Sequence, residues 1–479
     1  MRPRLFAPEN RRWWTLGSVA FALFMIMLDN TVVNVALPSI QRDLGIGLSE
    51  LQWTVNAYAL TFAVLMLTGG KLADFMGRRR VFIAGLVIFT ASSLACGLAT
   101  SGEMLIAART VQGVGAALMM PATLGIISAT FPVEQRGTAI GIWAGVSAMA
   151  LAIGPLVGGL LTQHIAWGWI FFINVPVGVL AIVAARLVIP ESRDTSAEQR
   201  LDLPGLVVSG VALFALVFAL IEANGYGWTS PTILSLFAVS AIGLVAFVLL
   251  ELRQRAPMLD LSLFRNGTFA GANIVLTLVT LAMFGVFFFV SIYMQNVLGY
   301  SAVQAGAVFL PMTLLIMFLG PITGRLSDRV GSRWLVTAGM TLVGISLLIF
   351  SGLDENSGFW DLFPGLILGG AGMATVMPPV TAAAIGSVPV TKAGIGSGVL
   401  NTFRQVGGAL GIAVMGAIVA SHIHVTPGDP RFVAQFVDGF STSLRVAAGI
   451  AFAGALVAAV LIRRYRHFEA AELAVEAAA

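Results

Sequence analysis

Apolar residues fall along this chain in runs of roughly 20, the length a helix needs to cross a bilayer, divided by short stretches where charge and turn residues collect. The runs predict spanning helices near 15–37, 51–71, 81–99, 104–127, 138–162, 169–189, 203–222, 232–252, 269–294, 301–322, 334–352, 359–383, 396–420 and 442–463. The expected fold class is therefore all-α and polytopic, with fourteen transmembrane helices. An even count puts both termini on one side. The first run follows Arg2, Arg4, Arg11 and Arg12, but it is longer than a signal-peptide core and lacks an evident small-residue cleavage site. It reads as a retained span.

Composition points the same way. Of 479 residues, 58% are hydrophobic and 10% charged, against about 25% charged in soluble domains. Lipid is the simplest solvent for such a chain. The 53 glycines suit close helix packing in a membrane. A single cysteine, Cys96, excludes an intrachain disulfide. The net charge of +4 implies no nucleic-acid partner, because the basic residues are scattered at helix ends. Of 27 Lys and Arg, only Arg42, Arg431 and Arg445 fall on the side opposite the termini, and Arg109 and Arg404 fall inside spans. The positive-inside rule then places both termini in the cytoplasm of a cell (inner) membrane protein. Tryptophans near the predicted ends, such as Trp13, Trp53, Trp169 and Trp334, resemble an aromatic belt.

The chain repeats itself. Gly70-Lys71-Leu72-Ala73-Asp74-Phe75-Met76-Gly77-Arg78 after the second span is echoed by Gly324-Arg325-Leu326-Ser327-Asp328-Arg329-Val330-Gly331 after the tenth. Gly113-Val114-Gly115 with Met120-Pro121 is echoed by Gly370-Ala371-Gly372 with Met377-Pro378. Two echoes at nearly equal offset argue for a duplicated unit, as in secondary transporters. The implied organisation is a tail at 1–14, a six-helix bundle at 15–190, a linker with two extra helices at 191–265, a second bundle at 266–465 and a tail at 466–479. The two extra helices are expected to be peripheral or bracing.

These motifs carry a resemblance over nearly the whole chain. The sequence resembles the major facilitator superfamily and, within it, the fourteen-helix drug:proton antiporters. The Gly70 loop is similar to motif A, Arg109 through Gly115 to motif B, and Gly145 through Gly154-Pro155-Leu156-Val157-Gly158-Gly159 to the antiporter motif C. Leu28-Asp29-Asn30-Thr31-Val32-Val33-Asn34 through Pro38 resembles the helix 1 signature of that branch. The tenth span lacks the further acidic residue of some multidrug members, which argues against divalent-cation substrates. The resemblance implies a fold of two pseudo-symmetric six-helix bundles, drug or antibiotic export by alternating access, and a motif A loop that latches the halves through Gly70, Asp74, Gly77 and Arg78, with Gly324 and Asp328 as a weaker copy.

Asp29 is the only carboxylate well inside a predicted span. A charge at the bilayer centre costs roughly 3 kcal/mol on insertion scales, so it needs a partner, a proton or a wet cavity. Asp29 lies roughly 12 Å from the far end of its helix and Arg109 roughly 8 Å from the same end of its own, by rise per residue. The two can meet. Desolvation favours the neutral carboxyl, whereas a guanidinium favours the carboxylate. A movement that changes their separation would take up or release a proton. A static ion pair is the plainer alternative.

Asp74 could pair with Arg78 four residues on, or face a helix N-terminus in the other half. Gly154-Pro155 allows a kink, and Gly145, Gly154, Gly158 and Gly159 would offer a smooth packing face. Asn34, Tyr58, Gln112, Asn273, Tyr293, Arg404 and Gln405 are candidates for lining a cavity, with interhelical hydrogen bonds the competing role.

No nucleotide-binding P-loop, catalytic constellation or metal cluster is visible, and His422 with His424 is too little for a metal. The expectation is a monomeric transporter, not an enzyme, driven by the proton gradient without a cofactor. Its partners would be a lipophilic compound, cationic or zwitterionic, the proton and the bilayer. A dedicated metabolite exporter, an uptake symporter and a non-transporting receptor or channel remain as rivals.

Overall fold

A computed structural model describes residues 8–193, 201–254, 257–389, 392–425 and 429–463. Arg2, Arg4, Arg200, Arg255, Arg464, Arg466, the first half of the tail expected at 1–14, all of that at 466–479 and the Asp328 side chain lie outside the described residues.

Fourteen spans are long and apolar enough to cross a membrane, and no strand occurs among the described residues. This follows from the solvent: in hydrocarbon each backbone amide must bond within its own segment, which a helix does alone. The helices are α1 (Pro8–Leu44), α2 (Leu48–Met76), α3 (Arg78–Gly97), α4 (Gly102–Thr130), α5 (Val133–His164), α6 (Trp169–Phe172), α7 (Asn174–Val188), α8 (Leu203–Tyr226) and α9 (Pro231–Arg253). They continue as α10 (Gly267–Asn296), α11 (Ala302–Val308), α12 (Leu310–Val330), α13 (Ser332–Phe350), α14 (Phe359–Gly386), α15 (Ala393–His422) and α16 (Phe432–Leu461). α6 with α7, and α11 with α12, each complete one span. The chain is a multi-pass membrane protein.

Two boundaries move. α1 overruns the expected 15–37 at both ends, and α16 starts ten residues before the expected 442. A 37-residue helix is roughly 55 Å long, well beyond a hydrocarbon core of about 30 Å. Hydropathy reads only the buried middle, whereas the helix continues into water, where Asp438 is exposed.

α1 to α7 pack into one bundle and α10 to α16 into another. The duplication is physical as well as textual. Gly77 and Gly331 take φ +112° and +88° at equivalent corners, a region costly for any residue with a Cβ. A Cβ on Gly70 would lie 3.4 Å from Pro121 Cβ, and one on Gly324 3.5 Å from Pro378 Cβ. A Cβ on Gly115 would overlap Gly85 O, and one on Gly372 would overlap Gly339 O.

α8 bridges the bundles and α9 lies outside it, with only 11% of its most apolar window buried. Glu222 of α8 accepts from Ser49 Oγ at 2.5 Å and Trp53 Nε1 at 3.0 Å on α2, while Asn224 Nδ2 donates to Ala417 O on α15 at 2.8 Å. At the other end, Asp202 caps α8 through Gly205 N at 2.7 Å and also accepts from Gln254 Nε2 and Met258 N. Burial pushes the Asp202 carboxyl up, but a hydrogen bond with Glu251 and these donors outweigh it and hold it below the usual range. Lys71 Nζ donates to Pro257 O at 2.7 Å, tying the end of α2 to the same connector.

On the side away from the termini, here the far side, the bundles meet closely. Gln295 Nε2 donates to Val35 O at 2.9 Å and Val303 N to Gln163 Oε1 at 3.0 Å. Toward the termini a crevice of about 240 Å³ separates them, lined by Asp74, Arg78 and Gly125 on one wall and Ser397, Gly398 and Asn401 on the other.

Candidate functional site

Helices α1, α3, α4 and α7 bring their polar residues to one point in the first bundle. Asp29, Arg109 and Gln112 are each at most 1% exposed. Arg109 Nη1 lies 2.6 Å from Asp29 Oδ2 and 2.7 Å from Gln112 Oε1. Gln112 Nε2 donates to Asp29 Oδ1 at 3.0 Å and to Ser93 Oγ at 2.8 Å. Asn174 Nδ2 reaches Asp29 Oδ1 at 3.5 Å and Ser93 Oγ at 3.4 Å. Arg109 Nε donates to Thr54 O at 3.1 Å. The guanidinium lies 4.2 Å from the Tyr58 ring centroid and 5.6 Å from that of Phe171, which adds cation–π attraction.

Arg109 and Gln112 share a face because they are three apart on α4. Depth does the rest: Asp29 lies near the middle of the long α1, level with the far-side portions of α3, α4 and α7 that carry Ser93, Arg109 and Asn174. The carboxylate thus has a charged donor and two amide donors, the conditions under which a buried ion pair is tolerable. Ser93 and Asn174 were absent from the sequence expectation. Both are polar residues within apolar runs, but a single sequence does not say which face they take.

Several expected cavity residues do something else. Gln112 belongs to the ion-pair core. Tyr293 stacks on Phe440 with centroids 5.2 Å apart and donates its hydroxyl to Asp354 O, bracing the far side of the second bundle. It lies on the last turns of α10, beyond cavity depth. Asn34 Nδ2 bonds Asn30 O within its own helix. Asn273 Nδ2 does likewise to Phe269 O, leaving its Oδ1 buried without a partner. Gln405 is buried with its Nε2 unpartnered. Tyr58 is 1% exposed, and its hydroxyl also has no partner. Arg404 is half-buried on α15 and, among the described residues, makes no hydrogen bond or ion pair.

Motif A acts within its own bundle. Asp74 Oδ1 pairs with Arg78 Nη2 at 2.9 Å, and Arg78 Nη1 donates to Gly125 O at 3.2 Å. Of the two pairings the sequence allowed, this structure holds the local one with Arg78 on the next turn. The close approach at Gly70 is to α4 of the same bundle, not across the halves. Arg79 N donates to Glu191 Oε1 at 3.1 Å, placing an anion at the start of α3 where the helix dipole favours it.

The motif C glycines split. A Cβ on Gly154 would overlap Thr31 Oγ1, and one on Gly158 would lie 2.8 Å from Val32 O, both on α1. A Cβ on Gly159 would overlap Ala302 O, and one on Gly306 would overlap Pro155 O, both across the bundles. Gly145 does not belong to this packed face: a Cβ there meets nothing within 4 Å. It lies on the termini-side half of α5, roughly 13 Å from Gly154 along the axis.

Residues 19–412 match the family described as the Major Facilitator Superfamily. The chain is 38% identical over 415 residues to the tetracenomycin C resistance and export protein of Streptomyces glaucescens, covering 87% of this chain and 77% of that one. It is 36% identical over 465 residues to the puromycin resistance protein of Streptomyces alboniger, covering 95% and 92%. Among solved structures it resembles a bacterial homologue of the human lysosomal transporter Spinster, in an inward-facing and unoccupied conformation. The TM-score is 0.69 at 17% identity, over 97% of this chain and 99% of that one. The motifs, the duplicated fold and these likenesses agree, and the chain belongs to the Major Facilitator Superfamily.

Proposed function

We propose that this protein exports lipophilic drugs or antibiotics by alternating access, each exchanged for protons at Asp29. The observation that carries the reading is a fully buried carboxylate paired to one guanidinium within a duplicated carrier fold. Resistance and export are in the names of relatives matching most of the chain, among them proteins for tetracenomycin C, puromycin and methylenomycin A. The termini side is assigned to the cytoplasm of the inner membrane from its basic residues. The sealed far side then makes this the inward-facing state. Residues 15–190 and 266–465 are the rocking bodies of a monomer, with 191–265 as the bracing linker.

The mechanism follows from charge. While Arg109 sits on Asp29, the carboxylate is compensated by the guanidinium. Moving Arg109 away leaves an uncompensated buried charge, which neutralises by binding a proton. Purified protein in proteoliposomes with an imposed pH gradient tests this, using a panel that includes puromycin. Movement of compound against its gradient, abolished by a protonophore, is expected. Transport indifferent to the pH gradient would remove the coupling. Single-metabolite export is the second reading, favoured by the single-compound names of those three relatives, and the breadth of the panel decides it.

Asp74 lines the crevice that must close in the opposite state. Its pair with Arg78 is partly exposed and worth under about 1 kcal/mol. Asp74→Ala should therefore leave the melting temperature within a few degrees and lower turnover several-fold with binding affinity retained. Unchanged transport kinetics would dismiss the latch.

A further inference from the structure

We propose that Arg404 is the anion-binding point of the substrate site, so that the compounds carried bear an acidic group on a lipophilic body. That group would be a carboxylate or an ionised phenol or enol. The inference rests on the export reading above and revises the sequence expectation of a cationic or zwitterionic substrate.

Three observations converge. Arg404 lies eleven residues along α15 from Ala393, roughly 16 Å from the helix end, and is only half-buried there. An arginine at that depth is retained only with a partner, a cavity or a function. Among the described residues it has no ion pair and no hydrogen bond, whereas Arg109 is compensated by Asp29. The midplane thus carries one negative and two positive charges, a net positive site.

The second observation is access. Asn401, one turn nearer the termini and on the same face by its three-residue spacing, lines the termini-side crevice. Arg404 lies one turn deeper along α15 than that lining residue. The third is the kind of polar atom left over. The Tyr58 hydroxyl, on α2 of the opposite bundle, is buried without a hydrogen-bond partner. A guanidinium and a phenol O–H are both donors. A guanidinium without a partner inside a span calls for an acceptor with negative charge.

The Tyr58 ring also covers the Arg109 guanidinium. Tyr58 thus packs on the proton site from α2, the helix that α15 meets across the bundle junction. An anion drawn to Arg404 would engage the Tyr58 hydroxyl and bear on the packing that holds Arg109 against Asp29, which gives substrate and proton a physical connection.

The test is binding by fluorescence anisotropy to the full-length protein in phosphatidylcholine nanodiscs, with no gradient. The probes are two dyes of similar shape, anionic fluorescein and cationic rhodamine 123. The wild type should bind fluorescein at least about tenfold more tightly, the scale of one charge-assisted contact. Arg404→Gln should lose that preference without weakening rhodamine 123, and Arg404→Lys should restore part of it. A wild type that favours the cationic dye or binds neither, or an Arg404→Gln variant with unaltered preference, overturns the proposal. Phosphatidylglycerol that competes with fluorescein in the wild type but not in Arg404→Gln would reassign the site to a lipid headgroup. Because no gradient is applied, failure of proton coupling in the liposome assay leaves this result readable. Retained melting of each variant in its disc excludes misfolding.

Discussion

Asp29→Asn is expected to abolish pH-driven export while leaving gradient-independent exchange of substrate in place. The amide can still accept from Arg109 and Gln112, but it takes no proton, and the Arg109 charge loses its counterion. Breaking a buried pair by neutralising one partner costs roughly 3–5 kcal/mol, so the single variant should also melt at a lower temperature. That alone would not separate a proton site from a structural ion pair. The double variant Asp29→Asn with Arg109→Gln does. Removing both charges relieves the uncompensated guanidinium and should recover much of the lost stability, since neutral replacements of buried pairs are often tolerated. If the pair were only a clasp, transport would return with stability. On the proton-exchange scheme the double variant folds, binds substrate and still fails to respond to a pH gradient. Recovery of pH-driven export in the double variant would end the assignment of Asp29 as the coupling carboxylate.

Gly159→Leu is the second large effect. Gly159 faces the Ala302 carbonyl across the bundle junction, with no room for a Cβ. Overpacking such a contact costs about 1–3 kcal/mol. Here the cost falls on one state only, because α5 and α11 must part when the far side opens. A bias of that size shifts a two-state population by roughly fivefold to a hundredfold. Nitroxides at Asp43→Cys and Asn356→Cys, exposed positions at the far end of each bundle, should report a longer distance in the Gly159→Leu background, with turnover at least tenfold lower. Gly158→Leu is the control. Its neighbour is Val32 of α1 within the same bundle, so it should lower the melting temperature without lengthening that distance. An unchanged distance and full turnover for Gly159→Leu would mean that motif C does not seal the far side.

The extra helices have a role that the chain order alone concealed. Their position between the repeats suggested a brace, and α8 does contact both bundles, through Glu222 to α2 and Asn224 to α15. Both side chains sit near the end of an apolar run, where a charged or amide residue reads simply as a helix terminus. Only the neighbouring helices make them cross-links.

Hydrophobicity by itself determined the fourteen spans and their order, because the bilayer imposes a length and an apolarity on every spanning segment whatever packs beside it, while the duplication was legible in the echoed glycine, acidic and proline positions. It also singled out Asp29 and Arg109, since charge within an apolar run is rare enough to stand out. Which residues surround that pair was decided by tertiary structure: Ser93 and Asn174 join Asp29 because α3 and α7 turn those faces inward, and no one-dimensional pattern encodes a rotation angle. The same holds for glycine. Gly145 and Gly159 look alike in the motif, yet one faces open space and the other a carbonyl of the opposite bundle. The sequence supplied residue type and depth along each helix, whereas facing is a property of pairs of helices and exists only once they pack.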